Sequence, residues 1–323
     1  MLQIDCRDFI CSAAALSTTL LRAVPGFVAA AFKPPTRMRV GVIGCGNVSA
    51  SYLPHFTASP HVELVSACDI IPARAEALAK AFNIPHFYPQ IDTMLAGAEF
   101  DLLVNLTNMQ EHERLNRAAL ASGKHVWSEK PLANSFEAGQ SLLALAEKHG
   151  LRIWRAPAMV ASPAFAFMAE SLASGKVGEI QVVADDNAML LMDHGDGVIS
   201  HVQSGFNYFN PHDHRAGEET RETISIIGSE GTMGLVGYDW DPRAVDLATL
   251  EAPSNHRRAI QPNGFCWQMG ASPAAESLFT GRPLLITPEH AVHLLEVIET
   301  ARQSQEGGRR IELQSRFQYP IGA

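Results

Sequence analysis

Met38-Arg39-Val40-Gly41-Val42-Ile43-Gly44-Cys45-Gly46-Asn47-Val48-Ser49 is a short apolar run that passes straight into a glycine-rich turn. The run is rich in β-branched residues and reads as a buried parallel strand. The turn has the spacing G-x-G-x-x-S and opens a helical stretch to about Ser59. Gly44 permits the tight turn and Gly46 lets backbone approach a pyrophosphate. The small Ser49, where Gly or Ala is usual, lets helix and strand pack closely. Asn47 belongs to the helix opening, whose N–H donors and positive potential suit phosphate.

A second apolar run, Val62–Cys68, ends at Asp69, 20 positions after Ser49. A ribose-binding carboxylate is expected at that distance. It favours the free 2′-hydroxyl of NAD and repels the 2′-phosphate of NADP, and Ile70 and Ile71, not Arg, follow it directly. The competing reading of Asp69 is a cap for the helix over 72–82. The alternation then continues. A short strand near Phe87, a helix at 91–97, a strand at 102–106, a helix at 111–122, strands at 124–128 and 151–154, and an amphipathic helix over 136–149 capped by Gly150 follow one another. Repeated strand–helix units imply a doubly wound parallel sheet.

The chain has 323 residues, which suggests two domains, and 46% hydrophobic against 18% charged residues is the balance of a globular protein rather than a disordered one. A net charge of −9 leaves no footprint for nucleic acid or an anionic membrane. Five cysteines, spread out with no C-x-x-C, exclude a disulfide framework and a zinc site, and no metal site is expected. Residues 9–21 form an apolar stretch of signal-peptide length, too short to span a bilayer. Cys6-Arg7-Asp8-Phe9-Ile10 is similar to a twin-arginine signal with its first Arg replaced. Residues 1–35 therefore read as a leader-like or disordered extension, or as a start placed ahead of Met38. Cytoplasmic placement is expected, with periplasmic export as the alternative. No later stretch reaches membrane-span length.

Gly44-x-Gly46, Asp69, Thr107-x4-His112 and Gly123-Lys124-His125-Val126-x2-Glu129-Lys130-Pro131-Leu132 together resemble the Gfo/Idh/MocA oxidoreductases. Ser162-Pro163, Ser174–Ile180 and Ile227–Thr232 are similar to further landmarks of that family. The resemblance covers about residues 38–315. It implies that Gly44, Gly46 and Ser49 hold the cofactor pyrophosphate and Asp69 its ribose. It implies that Thr107, Asn108 and His112 line the nicotinamide end, with Asn108 where the family usually has Pro. Glu129 and Lys130 would reach the nicotinamide ribose and the substrate, Lys130 handling the proton of a substrate oxygen. A lysine partly desolvated beside a cationic nicotinamide has a lowered pKa, which suits that work.

The same resemblance predicts a second domain with a helix carrying a D-x-G-x-H-like motif, and the sequence does not contain it. After Ile180 it passes into later strands, as if about fifty residues were absent. Asp193-His194-Gly195 mimics the motif but reads as the turn of a hairpin between 188–192 and 198–204. The loop Asn207–Arg215 is the most chemically loaded of this half, and His212 and His214 are its candidates to replace the missing histidine. A polar connecting loop is the plainer reading, and two histidines without a third ligand make a weak metal site.

The expected architecture is a Rossmann domain over 36–155 and an α+β domain, on a mostly antiparallel sheet, over 156–323. The expected function is hydride transfer between NAD and a sugar-like or cyclic polyol substrate, in a homo-oligomer. A cofactor-binding protein without chemistry and an NAD-assisted glycosidase are the alternatives.

Overall fold

A computed structural model describes residues 37–176, 180–186, 190–195, 197–203, 222–238, 241–254, 256–259, 267–282, 284 and 286–317. The leader-like segment and the loop with His212 and His214 lie outside the described residues.

Six strands form the first sheet: β1 (Met38–Ile43), β2 (Val62–Cys68), β3 (His86–Tyr88), β4 (Leu102–Asn105), β5 (His125–Ser128) and β6 (Ile153–Arg155). Their order is β3-β2-β1-β4-β5-β6, and every pairing is parallel. All four residues of β4 are buried, as a central strand covered on both faces requires. One face is covered by α1 (Asn47–Ala58) and α2 (Pro72–Phe82), the other by α3 (Ile91–Leu95), α4 (His112–Ala121) and α5 (Phe136–Lys148). The order reverses between β1 and β4, the place where an open α/β sheet forms a crevice at its carboxyl edge.

The later part of the chain begins with α6 (Pro163–Ala173) and builds a second sheet from seven strands. These are β7 (Ile180–Asp186), β8 (Leu190–Gly195), β9 (Val198–Gln203), β10 (Glu222–Gly228), β11 (Gly231–Tyr238), β12 (Asp241–Thr249) and β13 (His256–Ala259). The order is β13-β12-β11-β10-β7-β9-β8, antiparallel except for the β7–β9 pair. Asp193-His194-Gly195 lies at the end of β8, in the hairpin with β9, as its glycine turn implied. Ile226, Met233, Leu235 and Val245 pack with Ala164 and Met168 of α6 on one face. The register puts Ile227, Ile199 and Leu191 together on the other face, 41%, 43% and 73% exposed.

The chain then returns to the first sheet. Ala271, Ala274 and Ala275 of α7 (Ala271–Thr280) join the α1 side, and Ala291 and Val292 of α8 (Pro288–Gly307) join the α5 side. Gly139 marks the closeness of that second contact, because a Cβ there would stand 2.9 Å from Leu295. Thr36–Ala323 is accordingly one compact unit.

At the opposite edge of the sheet, Arg39 and Asp101 tie β1 to the start of β4. The Asp101 carboxylate accepts from Arg39 N–H at 3.1 Å, Nε at 3.0 Å and a terminal guanidinium nitrogen at 2.7 Å. Burial pushes the Asp101 carboxyl up, but Arg39's hydrogen bonds and charge, aided by Lys124, hold it below the ordinary aspartate value of 3.8. A depressed folded-state pKa stabilises the protein above the unfolded value, and that contribution is lost as pH falls through the folded one. Asp101→Asn should therefore lower the urea midpoint at neutral pH. It should also flatten the fall of that midpoint below about pH 3.8. Parallel acid limbs for the two proteins would refute the assignment.

Candidate functional site

The first sheet's carboxyl edge opens into a cleft of ≈ 690 Å³ lined by Gly44, Gly46, Asn47, Asp69, Thr107 and Asn108. Gly44 has φ +91°, and a Cβ there would stand 2.6 Å from the Leu106 carbonyl carbon, so only glycine fits between β1 and the loop after β4. Gly46 meets the opposite situation, since nothing lies within 4 Å of the position its Cβ would take. The N–H groups of Gly46, Asn47 and Val48 have no acceptor among the described residues, and α1 has no acidic residue in its first turn. An open, amide-lined turn at a helix N-terminus fits the pyrophosphate of a dinucleotide.

Asp69 is held from both sides. Its Oδ2 accepts from Cys45 N–H and its Oδ1 from Ile71 N–H, each at 2.8 Å. The carboxylate thus ties the glycine turn to the start of α2, and each oxygen keeps a lone pair for a ribose hydroxyl. The N-cap of α2 is Ile71 and no side chain caps that helix, so Asp69 bonds the residue ahead of α2 and the capping reading is not met. Arg74 lines the same cleft from α2, a cation that inspection of Asp69's immediate neighbours in sequence does not reveal. Cys45 and Cys68 are buried beneath the turn; burial, joined by the charge of Asp69, pushes both thiols up to about 12, so they remain protonated.

The remaining sequence candidates do not line this cleft. Ser49 is buried at 1% exposure, and its hydroxyl donates to Gly46 O at 2.6 Å, which tightens the turn from within. His112 is also 1% exposed. Its Nδ1 lies 2.7 Å from Pro131 O and its Nε2 3.0 Å from Thr107 O, so the ring spans two loops. It positions the Thr107 and Lys130 loops by engaging their carbonyls. Glu129 is buried, 7% exposed, accepting from the Tyr52 hydroxyl at 2.6 Å and from Lys130 N–H at 3.0 Å. Lys130 itself is exposed, beyond the end of β5, and its ammonium makes no hydrogen bond or ion pair among the described residues.

Two asparagines absent from the sequence candidates join these loops. Asn105, at the end of β4, accepts from the Thr107 hydroxyl at 2.7 Å and donates to Asn116 at 2.9 Å. Asn116, on α4, donates in turn to Ser128 Oγ at 3.0 Å and to Leu132 O at 3.1 Å. Both asparagines are fully buried. The only sequence signal for them was a polar residue in an otherwise apolar strand and a second one on the inward face of a helix.

A glycine turn, an acidic residue closing the next strand and a crevice at the reversal of strand order define a nucleotide-binding Rossmann domain. Residues 38–156 match the family GFO_IDH_MocA, described as an oxidoreductase family with an NAD-binding Rossmann fold. The first sheet and its helices are thus similar to the NAD-binding domain of that family, in line with the resemblance that the glycine turn and the Glu129-Lys130-Pro131 segment carry. It is 32% identical over 148 residues to the myo-inositol dehydrogenase Hyg17 of Streptomyces leeuwenhoekii, a match over 45% of this chain and 44% of that protein. It is 28% identical over 148 residues to a dTDP-3,4-didehydro-2,6-dideoxy-alpha-D-glucose 3-reductase of Streptomyces violaceoruber, over 46% of this chain and 43% of that protein. The chain spans under half the length of these relatives. In fold it is similar to an Agrobacterium radiobacter oxidoreductase solved with NAD+, L-tartaric acid and magnesium, with a TM-score of 0.72 and 16% identity. That match covers 85% of this chain and 98% of the other. No described helix is long and apolar enough to cross a membrane.

Asn116 connects α4, β5 and the loop after Pro131 through one buried amide. Asn116→Leu should leave Asn105, Ser128 and the Leu132 carbonyl short of partners, at a cost of about 2–4 kcal/mol. Urea unfolding checks this, and an unchanged midpoint would show that the network carries no weight.

Proposed function

We propose that this protein is an NAD-dependent oxidoreductase acting on a sugar-like or cyclic polyol substrate. The observation that carries this reading is the convergence of the amide-lined glycine turn and Asp69 on one cleft, with Lys130 on the same sheet edge two strands away from β1. When bound, the nicotinamide gives or takes the hydride. Gly46 and the α1 amides hold the pyrophosphate, and Asp69 accepts from the adenosine ribose. Thr107 and Asn108 line the way toward the reacting end. Lys130 would take the proton of the substrate hydroxyl as hydride leaves the carbon that bears it, or give a proton to the carbonyl oxygen as hydride arrives at that carbon. Glu129, tied down by Tyr52, fixes the backbone of Lys130.

The polyol reading is supported by the relatives' named activities, an inositol dehydrogenase and a deoxysugar ketoreductase. The first sheet serves the cofactor and the second the substrate in this proposal. The second sheet's exposed face of Leu191, Ile199 and Ile227 is the surface for a homo-oligomer. One observation favours a binding protein without chemistry: no described histidine or aspartate is hydrogen-bonded to Lys130. If His212 or His214 supplies the partner, replacing it should lower turnover without changing cofactor affinity.

Lys130→Ala should reduce turnover by roughly two to four orders of magnitude across a polyol and sugar panel, with NAD affinity unchanged. Wild-type protein that binds NAD yet transfers no hydride to any member would establish the binding-protein reading instead.

Asp69 also sets cofactor choice. NAD should bind roughly tenfold or more tightly than NADP, because a 2′-phosphate would stand against the carboxylate. Asp69→Asn should narrow the ratio. Fluorescence titration of both cofactors decides it, and tighter NADP binding would assign the dominant role to Arg74.

A further inference from the structure

Arg155 closes β6, beside the end of β5, with its following amide, Ala156 N–H, donating to Ser128 O at 2.9 Å. It stands three strand spacings from β1, about 14 Å, and so is too far from the glycine turn to serve the cofactor's pyrophosphate. It lies instead at the end of the edge occupied by Glu129 and Lys130.

The side chain is half-buried, yet no hydrogen bond or ion pair among the described residues engages its guanidinium. Its nitrogens are not sealed in the interior either, so they remain reachable from solvent. The opposite charge that acts on it is Glu129, whose carboxylate accepts from Tyr52 and the Lys130 amide and makes no hydrogen bond to Arg155. His290, stacked on Phe317 at 4.7 Å between centroids, is also within electrostatic reach of Arg155. Burial first, then the charges of Arg155 and His293, push His290 down to about 4, so it is neutral at physiological pH and offers no competing charge.

A guanidinium presents a planar fork of donors that matches an oxyanion and stays charged when partly desolvated. A cation at this depth without a hydrogen-bonded carboxylate is incomplete. We infer that Arg155 is a substrate-recognition residue that binds an oxyanion, a carboxylate or a phosphate ester, on a sugar-like substrate held beside Lys130. This rests on the oxidoreductase reading for the placing of substrate at Lys130, but the anion site itself depends only on Arg155 and its surroundings.

The test uses the full chain loaded with NADH and calorimetric titration with D-glucose, D-glucuronate and D-glucose 6-phosphate, followed by a wider set of sugar acids, sugar phosphates and their neutral parents. At least one anionic member should bind roughly ten- to a hundredfold more tightly than its neutral parent, the range of hydrogen bonds to a charged group. Preference for the acids or for the phosphates identifies the anion. Arg155→Met should abolish the preference and leave NADH affinity unchanged, and Arg155→Lys, which keeps the charge without the fork, should retain part of it. A panel in which no anion outbinds its parent, or a preference that survives Arg155→Met, overturns the inference. Failure of wild type to bind NADH would sink the oxidoreductase reading. Intact NADH binding without an Arg155-dependent preference sinks this inference alone.

Discussion

The carboxyl edge of the first sheet is organised by hydrogen bonds that tie loops to one another from inside the protein. Each of β1, β2, β4 and β5 ends in a loop that must hold polar groups at fixed positions without a regular ladder beyond the strand. Asp69 fixes the first two, by bonding Cys45 and Ile71 amides from a single carboxylate. Asn105, Asn116 and His112 fix the other two, through Thr107, Ser128, Leu132 and Pro131. Such groups are costly in an apolar setting unless satisfied, and satisfied they define one arrangement. The exposed Lys130 depends on this, since its own ammonium has no described partner and its placement comes entirely from the backbone on either side.

The strands and helices of the first sheet were readable because their signals are local. β1 and the glycine turn are contiguous, and Asp69 follows at a spacing set by one helix and one strand. The 3.6-residue pattern over 136–149 and the stop at Gly150 place α5 within one residue of where it ends. The second sheet was readable only as a set of strands. Its parallel β7–β9 pair, inside an otherwise antiparallel sheet, depends on which strands meet across long connections, and no local pattern encodes that. Nor does periodicity tell that α7 and α8 cross back to cover the first sheet. Their apolar faces fit any core, and Gly139 against Leu295 becomes meaningful only when the two helices are side by side.

The site shows the same division. Gly44, Gly46, Asn47 and Asp69 act through spacing along the chain, and they converge on one cleft. His112 and Glu129 were recognisable as residues of importance, but a sequence gives no direction for a side chain. Both turn inward, His112 to two carbonyls and Glu129 to Tyr52, a residue 77 positions away. Asn116 and Arg155 carry no motif at all. An asparagine within a helix and an arginine at the end of a strand are ordinary in sequence, and each gains its character from neighbours brought in by other elements.

The charges along the edge also differ from end to end. At β2 the Asp69 carboxylate faces the cleft, with Arg74 of α2 lining it as well, and the open amides of α1 lie between Asp69 and β4. Among the described residues at the ends of β5 and β6 the cations are Lys130 and Arg155, while the carboxylate there, Glu129, is buried and bonded to Tyr52 of α1 and the Lys130 amide. A ligand laid along this edge therefore meets a hydroxyl-accepting end, a phosphate-accepting middle and a cationic far end. A dinucleotide presents ribose hydroxyls and then a pyrophosphate in that order, which matches the first two. The cationic end remains for whatever lies beyond the nicotinamide. With His290 neutral, the described charges at that end are the cations Lys130 and Arg155, and an anionic group laid there would meet both.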